Sequence, residues 1–344
     1  MKKIGVIFGG MSTENEVSCV SAASVIKNLN KEKYEIFPIF ISENGDWFKI
    51  EITQEGQIKI DEKEKIENVF KYLKQFDVVF PVLHGLYGED GTIQGLLELL
   101  KIPYVGCGVL ASSVGMDKVY TKIIFNKARI NQTKYVYLKK YKEKYIFVDD
   151  NFNEKLLSLE LIVQLINNKL KFPMFVKPSN SGSSVGISKV NRIEELEKAI
   201  IEASNFDKKI LIEEGINGRE VECAVLGNEE VQTSCVGEIK AADEFYSFDA
   251  KYKNQESKVV IPADISEEKS EKIRSLAVKA FKAIDGRGLS RIDFFIENDT
   301  EKIYINEINT LPGFTSISMY PKLFEKVGVS YSNLLDNIIE LALK

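Results

Sequence analysis

The sequence predicts an α/β chain: a parallel-sheet, doubly wound N-terminal domain followed by a part of α+β character. Three observations carry this expectation. Strands alternate with helices from Lys3 to Pro103, the pattern of βα units that build a parallel sheet. Farther on, Gly288–Glu297 and Ile303–Asn309 are rich in Ile, Phe and Tyr and flank a polar turn, Asn298–Glu301, as hairpin strands do. A length of 344 residues, 44% hydrophobic and 28% charged, supports a large core and two or three domains.

The first strand, residues 3–8, meets Gly9-Gly10 and then Ser12-Thr-Glu-Asn-Glu-Val-Ser18, where a helix with apolar positions through Val25 and Leu29 begins. Such a unit puts polar groups at the carboxyl end of a parallel strand, where open α/β sheets bind ligands. The turn lacks G-x-G-x-x-G, so no dinucleotide fingerprint is present. From local sequence alone, Glu14 and Ser18 read as capping residues. Tyr34–Ile41 is the second strand and Asp77–Leu83 the third. The third ends in His84-Gly-Leu-Tyr-Gly-Glu-Asp-Gly91 before a helix at Thr92–Leu100, which leaves His84 open as either a structural or a site histidine.

Met116-Asp-Lys118 leads into the next helix, and Pro173–Lys177 reads as a buried strand ending in a lysine. The loop that follows, Pro178-Ser-Asn-Ser-Gly-Ser-Ser-Val-Gly186, offers free N–H groups and hydroxyls that can cradle a phosphate chain. It is not a Walker A loop, because the lysine precedes the glycines. Ile210–Glu214 is a strand ending in two acids, and Arg219–Val225 runs on with Glu220 and Glu222 on one face. Ala242–Ile261 has few periodic apolar positions and reads as a structureless functional lid. Ser266 caps an amphipathic helix at Glu267–Ile284, and two short helices follow Pro321 and Ser330.

Alternation across the hairpin puts Arg291, Asp293, Glu307 and Asn309 on one face and apolar residues on the other. Asp, Glu and Asn are hard oxygen ligands suited to Mg²⁺, which takes one or two carboxylates and leaves the remaining positions to water and phosphate oxygens. A nucleotide triphosphate is the ligand this face implies.

Net charge of -5 and a pI near 5.4 give no electrostatic footprint for nucleic acid. No apolar run is long enough to span a membrane, and the start reads as a first strand rather than a signal peptide. Cys19, Cys107, Cys223 and Cys235 form no zinc spacing and read as buried free thiols of a reducing cytosol. The one histidine, His84, excludes chemistry that needs several imidazoles.

In this order, Gly9–Ser18, His84–Gly91, Met116–Lys118, Val176–Ser179 with Gly182–Gly186, Phe248-Asp-Ala-Lys-Tyr252, Ser290–Asp293 and Glu307–Gly313 through Ser316–Met319 resemble the ATP-grasp superfamily, specifically the D-alanine–D-alanine ligases. The resemblance covers nearly the whole chain. It implies an N-terminal domain at 1–106 holding the first D-alanine, then a central (107–213) and a C-terminal (214–344) ATP-grasp domain, with a lid loop near 242–261. It implies phosphate contacts by Lys118, Lys177, Ser184 and Lys251, adenine at Glu213 and Glu214, and ribose at Glu220. Relatives often carry lysine where this chain has Glu214, which leaves a side-chain contact to the base in doubt. Asp293, Glu307 and Asn309 would carry two Mg²⁺ ions, with Mn²⁺ as a substitute. Glu14 would hold the first D-alanine's ammonium with His84 nearby, while Ser183 and Tyr252 link Glu14 to the lid. Arg291, Gly313, Ser318 and Met319 would surround the second D-alanine and the reacting carbonyl. The activity implied is ATP-dependent D-alanyl-D-alanine formation for peptidoglycan, in a cytoplasmic homodimer. D-Serine or D-lactate ligation is the alternative, and a non-catalytic nucleotide-binding protein is a rival of another class.

Overall fold

The structure is a computed structural model, and it describes residues 1–52, 58–240 and 258–344. Its N-terminal sheet is centred on β1 (Lys2–Gly9), buried from Ile4 onward. Helix α1 (Asn15–Asn28) returns the chain to β2 (Tyr34–Ile41), and β3 (Trp47–Ile52) and β4 (Ile58–Lys65) follow. After α2 (Val69–Leu73) come β5 (Val78–Pro81) and α3 (Thr92–Leu100). The order is β4-β3-β2-β1-β5, with β1 parallel to both β2 and β5. Parallel strands covered on both faces need near-continuous apolar runs, and Ile4, Val6, Ile7 and Phe8 supply one.

The expected parallel sheet is thus extended by an antiparallel hairpin, β3–β4, that the sequence pattern conceals. Exposed charges such as Lys63, Glu64 and Lys65 break up its apolar positions, and Lys49 pairs with Glu64 across the strands at 2.7 Å.

Next come α4 (Val109–Met116), α5 (Lys118–Lys127), β6 (Tyr135–Tyr141), β7 (Lys144–Val148), β8 (Glu154–Leu157) and α6 (Leu159–Lys169). They are followed by β9 (Met174–Pro178), β10 (Ser188–Val190), α7 (Ile193–Ala203) and β11 (Lys209–Glu214). This central sheet runs β10-β9-β11-β6-β7-β8 with antiparallel pairs. Helices α6 and α7 bury Ile162, Ile166, Leu196 and Ile200 against Val176 and Ile212, a core of its own.

The third sheet contains β12 (Gly218–Gly227), β13 (Val231–Lys240), β14 (Lys258–Val260), β15 (Gly288–Glu297) and β16 (Ile303–Asn309), in the order β14-β13-β12-β15-β16. Helix α8 (Glu267–Ala283), capped by Ser266 through the Lys269 N–H, packs Ile273 and Phe281 on one face. Against the other face lie α9 (Met319–Lys326) and α10 (Tyr331–Ala342). Their Tyr320, Leu334 and Ile338 share a single core with Phe8, Val25 and Phe80 of the N-terminal sheet.

Four local expectations are corrected. Glu14 stands at the start of α1 without a side-chain cap bond, and Ser18 instead accepts from the Gly9 N–H at 2.8 Å and donates to the Val82 carbonyl. Of the expected lid, 242–257 lies outside the described residues, while Lys258–Val260 is a strand paired with β13. Cys107 and Cys223 are buried, but Cys19 and Cys235 are only partly so; all four are free thiols. Helix α9 also starts two residues before Pro321, which its first turn tolerates because that N–H has no helical partner.

Candidate active site

The three sheets converge on a cleft of ≈ 1670 Å³. Each site residue proposed from sequence that falls within the described part of the chain lines it. Lys251 and Tyr252 lie outside the described residues.

Pairing of β15 with β16 sets one wall. Asp293 stands opposite Glu307 and Arg291 opposite Asn309, with a register shift just after Asp293. Arg291 donates to both oxygens of Asp293, at 2.8 Å from Nε and 2.6 Å from Nη2. Its Nε is also 3.1 Å from Glu222, which faces Asp293 from β12. Burial works against the guanidinium's charge, but Asp293 and Glu222 outweigh it and raise Arg291 well above the ordinary arginine value. A buried cation held in this fork is a fixed donor rather than a mobile one. Beyond the hairpin, Ser318 Oγ accepts from the Thr315 N–H at 2.9 Å, folding 313–319 back over the same wall. Gly313 lies beneath it, where an added Cβ would come 2.9 Å from Ser318 Oγ.

The central sheet supplies the second wall. Glu213 is buried between Lys122 at 2.7 Å and Lys177 at 2.6 Å, and accepts from Thr133 at 2.8 Å. Burial opposes ionisation of Glu213, yet Lys122 and then Lys177 outweigh it and hold the carboxyl far below the usual range. Lys177 is raised: Glu213 and then Glu307 and Glu220 overcome the cost of burial. Lys122 is lowered by its burial, with Glu213 pulling the other way. Glu214 also lines the cleft, but its carboxylate accepts from the Lys171 N–H at 2.9 Å.

Lys118 begins α5 and donates to the Ser181 carbonyl at 2.6 Å, so it is tied to the polar loop. Asp117 caps that helix through the Tyr120 N–H and accepts from Ser179 at 2.6 Å, while also pairing with Lys209. In the loop, Ser183 and Ser184 take left-handed φ values of 48° and 61°, a conformation that non-glycine residues seldom adopt.

That turn aims Ser183 at the third wall, where its hydroxyl donates to Glu14 Oε1. Gly182 and Gly85 flank the same carboxylate: a Cβ added at either would come 2.7 Å or 2.6 Å from Oε2. His84 is buried, with Nε2 2.9 Å from Ser21 Oγ and Nδ1 3.7 Å from Glu89. Burial is the main cause that raises the Glu89 carboxyl, and the charge of Glu14 adds to it.

Lys122 and Glu89 also line the cleft and carry no site role in the sequence reading, and neither does Glu222, which that reading places beside Glu220 on one strand face. Lys122 had a signal, since it follows Lys118 by four residues and so shares its helix face.

Among the described residues, no group of three His, Cys, Asp or Glu side chains is arranged to hold a metal. Asp293, Glu307 and Asn309 offer two carboxylates and an amide on one face. That set fits Mg²⁺ binding shared with phosphate oxygens, rather than an all-protein cage. Among the described residues, no helix is long and apolar enough to cross a membrane.

The family model described as D-ala D-ala ligase N-terminus matches residues 3–107, and the one described as D-ala D-ala ligase C-terminus matches residues 124–340. A D-alanine--D-alanine ligase of Clostridium acetobutylicum is 50% identical over 347 residues, covering 99% of this chain and 98% of that one. One of Acetivibrio thermocellus is 49% identical over 373 residues, covering 100% and 96%. Among solved structures, the VanG D-Ala:D-Ser ligase from Enterococcus faecalis aligns with a TM-score of 0.82 at 38% identity over 99% of both chains. The D-alanine-D-alanine ligase from Coxiella burnetii aligns at 0.80 and 33%, covering 99% of this chain and 94% of the other. With both halves matched in order and the cleft formed between them, the chain belongs to the D-alanine–D-alanine ligase family, ATP-dependent ligases of the ATP-grasp fold.

Proposed function

We propose that this chain joins two D-alanines into D-alanyl-D-alanine at the expense of ATP, giving ADP and phosphate and supplying a peptidoglycan precursor. The observation that carries the proposal is the meeting of three groups in one cleft: the Glu14–Ser183 pair, the Lys118 and Lys177 ammonium groups, and the Arg291–Asp293–Glu307 face. In this reading residues 1–106 hold the first amino acid, and 107–213 and 214–344 hold the nucleotide between them.

Amide formation from a free carboxylate is uphill in water, so the carboxyl must first be activated. The first D-alanine's carboxylate attacks the γ-phosphorus, forming an acylphosphate as the bond to ADP breaks. Glu14, held by Ser183, binds that substrate's ammonium, and buried His84 closes the end of its pocket. Lys118 and Lys177, with Ser184 beside them, meet the phosphates; main chain at Glu213 and Glu214 meets the adenine and Glu220 the ribose. Asp293, Glu307 and Asn309 would hold two Mg²⁺ ions, or Mn²⁺ in their place, which would neutralise charge on the transferring phosphoryl group.

The second D-alanine's amine, having lost a proton, then attacks the acyl carbon. A C–N bond forms and the C–O bond to phosphate breaks. Arg291 and the Gly313 N–H are preorganised donors for the tetrahedral oxyanion, and losing one such donor costs about 10²–10³ in rate. Ser318 and Met319 border the second substrate.

D-Serine is the acceptor in the second reading, favoured by the likeness to the VanG D-Ala:D-Ser ligase. Against it stands Met319, an apolar wall that suits a methyl better than a hydroxymethyl group. The tyrosine at position 252 goes with dipeptide formation rather than lactate use. Four free thiols and the substrates themselves support a cytoplasmic location, and the family resemblance supports a homodimer. ATP-dependent phosphate release is the test, with D-alanine, D-serine, D-lactate and L-alanine offered at equal concentration and products identified by mass. Predominant D-alanyl-D-alanine is expected, and a majority of another product overturns the acceptor assignment.

A further inference from the structure

Lys122 has no part in the mechanism above, yet it is among the most deeply buried cations of the cleft. It lies on α5, one turn beyond Lys118, with its side chain 5% exposed. Its ammonium takes one oxygen of Glu213 at 2.7 Å, donates to Thr133 Oγ1 at 3.2 Å and sits 5.3 Å from the Tyr135 ring centroid. Lys177 takes the other Glu213 oxygen at 2.6 Å. The three side chains form a buried row in which two positive charges flank one negative.

This arrangement creates a competition. A triphosphate that reaches Lys177 competes with Glu213 for that ammonium, and weakening the pairing of a buried carboxylate is unfavourable. Lys122 resolves the conflict, because Glu213 keeps a full counter-charge when Lys177 turns away. Without Lys122, Lys177 would be the one cation left on Glu213, beside the neutral Thr133 hydroxyl, and the row would carry no net positive charge toward the nucleotide.

We propose that Lys122 is a positioning residue for the nucleotide: it compensates Glu213 so that Lys177 is available to the phosphates. The proposal rests on the assignment of Lys177 to phosphate binding. It predicts that the value of Lys122 vanishes once Glu213 carries no charge.

The test is calorimetric titration of ATP with Mg²⁺ into the full-length chain, well below each variant's melting midpoint. Lys122→Met should weaken ATP by roughly tenfold, the scale of one charge-assisted contact. In the Glu213→Gln background the same change should alter affinity by less than about threefold, the coupling expected of groups in direct contact. Lys122→Arg should recover most of the lost affinity. Lys122→Gln, which keeps a donor for Thr133, must show the same loss as Lys122→Met and serves where the latter does not fold. A role confined to stability would lower the melting midpoint and leave affinity unchanged, and that result overturns the proposal. So does a loss that persists undiminished with Glu213→Gln. Lys177→Met separates the two claims: unchanged affinity there overturns the phosphate assignment itself, while a loss there with none in Lys122→Met overturns only the role given to Lys122.

Discussion

Gly182 leaves room for the carboxylate of Glu14: a Cβ at position 182 would stand 2.7 Å from Oε2 and 3.7 Å from the Cα of Gly85. The crowded atom is the end of a flexible side chain, so the fold can yield while Glu14 swings off its bond with Ser183. Gly182→Ala should therefore shift the melting midpoint little but raise KM for the first D-alanine, by roughly 10- to 100-fold on the scale of a misplaced positioning group. Steady-state kinetics with each D-alanine site resolved, beside a thermal melt, checks both halves.

Asp117 should behave in the opposite way, as a stability residue with a functional echo. It caps α5, binds Ser179 and pairs with Lys209, so Asp117→Ala removes three partners at once. About 2 kcal/mol of destabilisation is expected from a lost cap and buried hydrogen bonds, together with weaker ATP binding as Lys118 loses its mooring. Asp117→Asn keeps the cap and should cost less. Urea denaturation of the two variants gives the comparison, and equal midpoints would remove Asp117 from this role.

Acid sensitivity should trace in part to Glu213. Its carboxyl lies far below the usual range in the folded chain, whereas the unfolded value is about 4.3. The stability it confers is complete above that unfolded value and is lost as pH falls from there toward the folded one. Glu213→Gln should lower stability near neutrality and make the decline below about pH 4.3 shallower than in the unsubstituted chain. Parallel slopes in melts across that interval would assign the acid transition elsewhere.

Glu307→Gln should abolish ligation while ATP still binds weakly, since it removes one of the two carboxylates proposed to hold Mg²⁺ and leaves the nucleotide its other proposed contacts. Turnover with ATP at saturating Mg²⁺ is the measurement, and full activity in the variant would remove Glu307 from the metal set.

Gly237 bears on acceptor choice. A Cβ there would meet Met319 Cε at 2.5 Å and Leu323 Cδ2 at 2.8 Å, so Gly237→Ala should push the Met319 side chain toward the part of the cleft proposed to take the second substrate. KM for the second D-alanine should rise while that for the first holds. Matched changes at both sites would point instead to a general loosening of α9.

Much of this was legible in the chain because strands report their faces through a period of two. Arg291, Asp293, Glu307 and Asn309 could be placed together from alternation alone, and the register bears this out. Glu14 shows where such logic stops. It precedes a helix and looks like a cap, but its partner Ser183 is 169 positions away, and no local rule reports so distant a contact. The β3–β4 hairpin escaped for a different reason: an edge exposed to solvent tolerates charges that erase the apolar pattern. Lys122 and Glu213 looked unrelated in sequence because only the packing of α5 against β11 makes them neighbours.

The core shared by the N-terminal sheet with α9 and α10 limits how the enzyme can breathe. Phe80 meets Phe314 edge to face, and Phe314 stacks on Tyr331. The Tyr331 hydroxyl also reaches Ser24 on α1 at 3.1 Å. First and last segments are therefore welded into one block, whereas the central sheet keeps a separate core. A rigid-body widening of the cleft would therefore swing the central sheet against that block, with the Glu14 and Arg291 walls travelling as one piece.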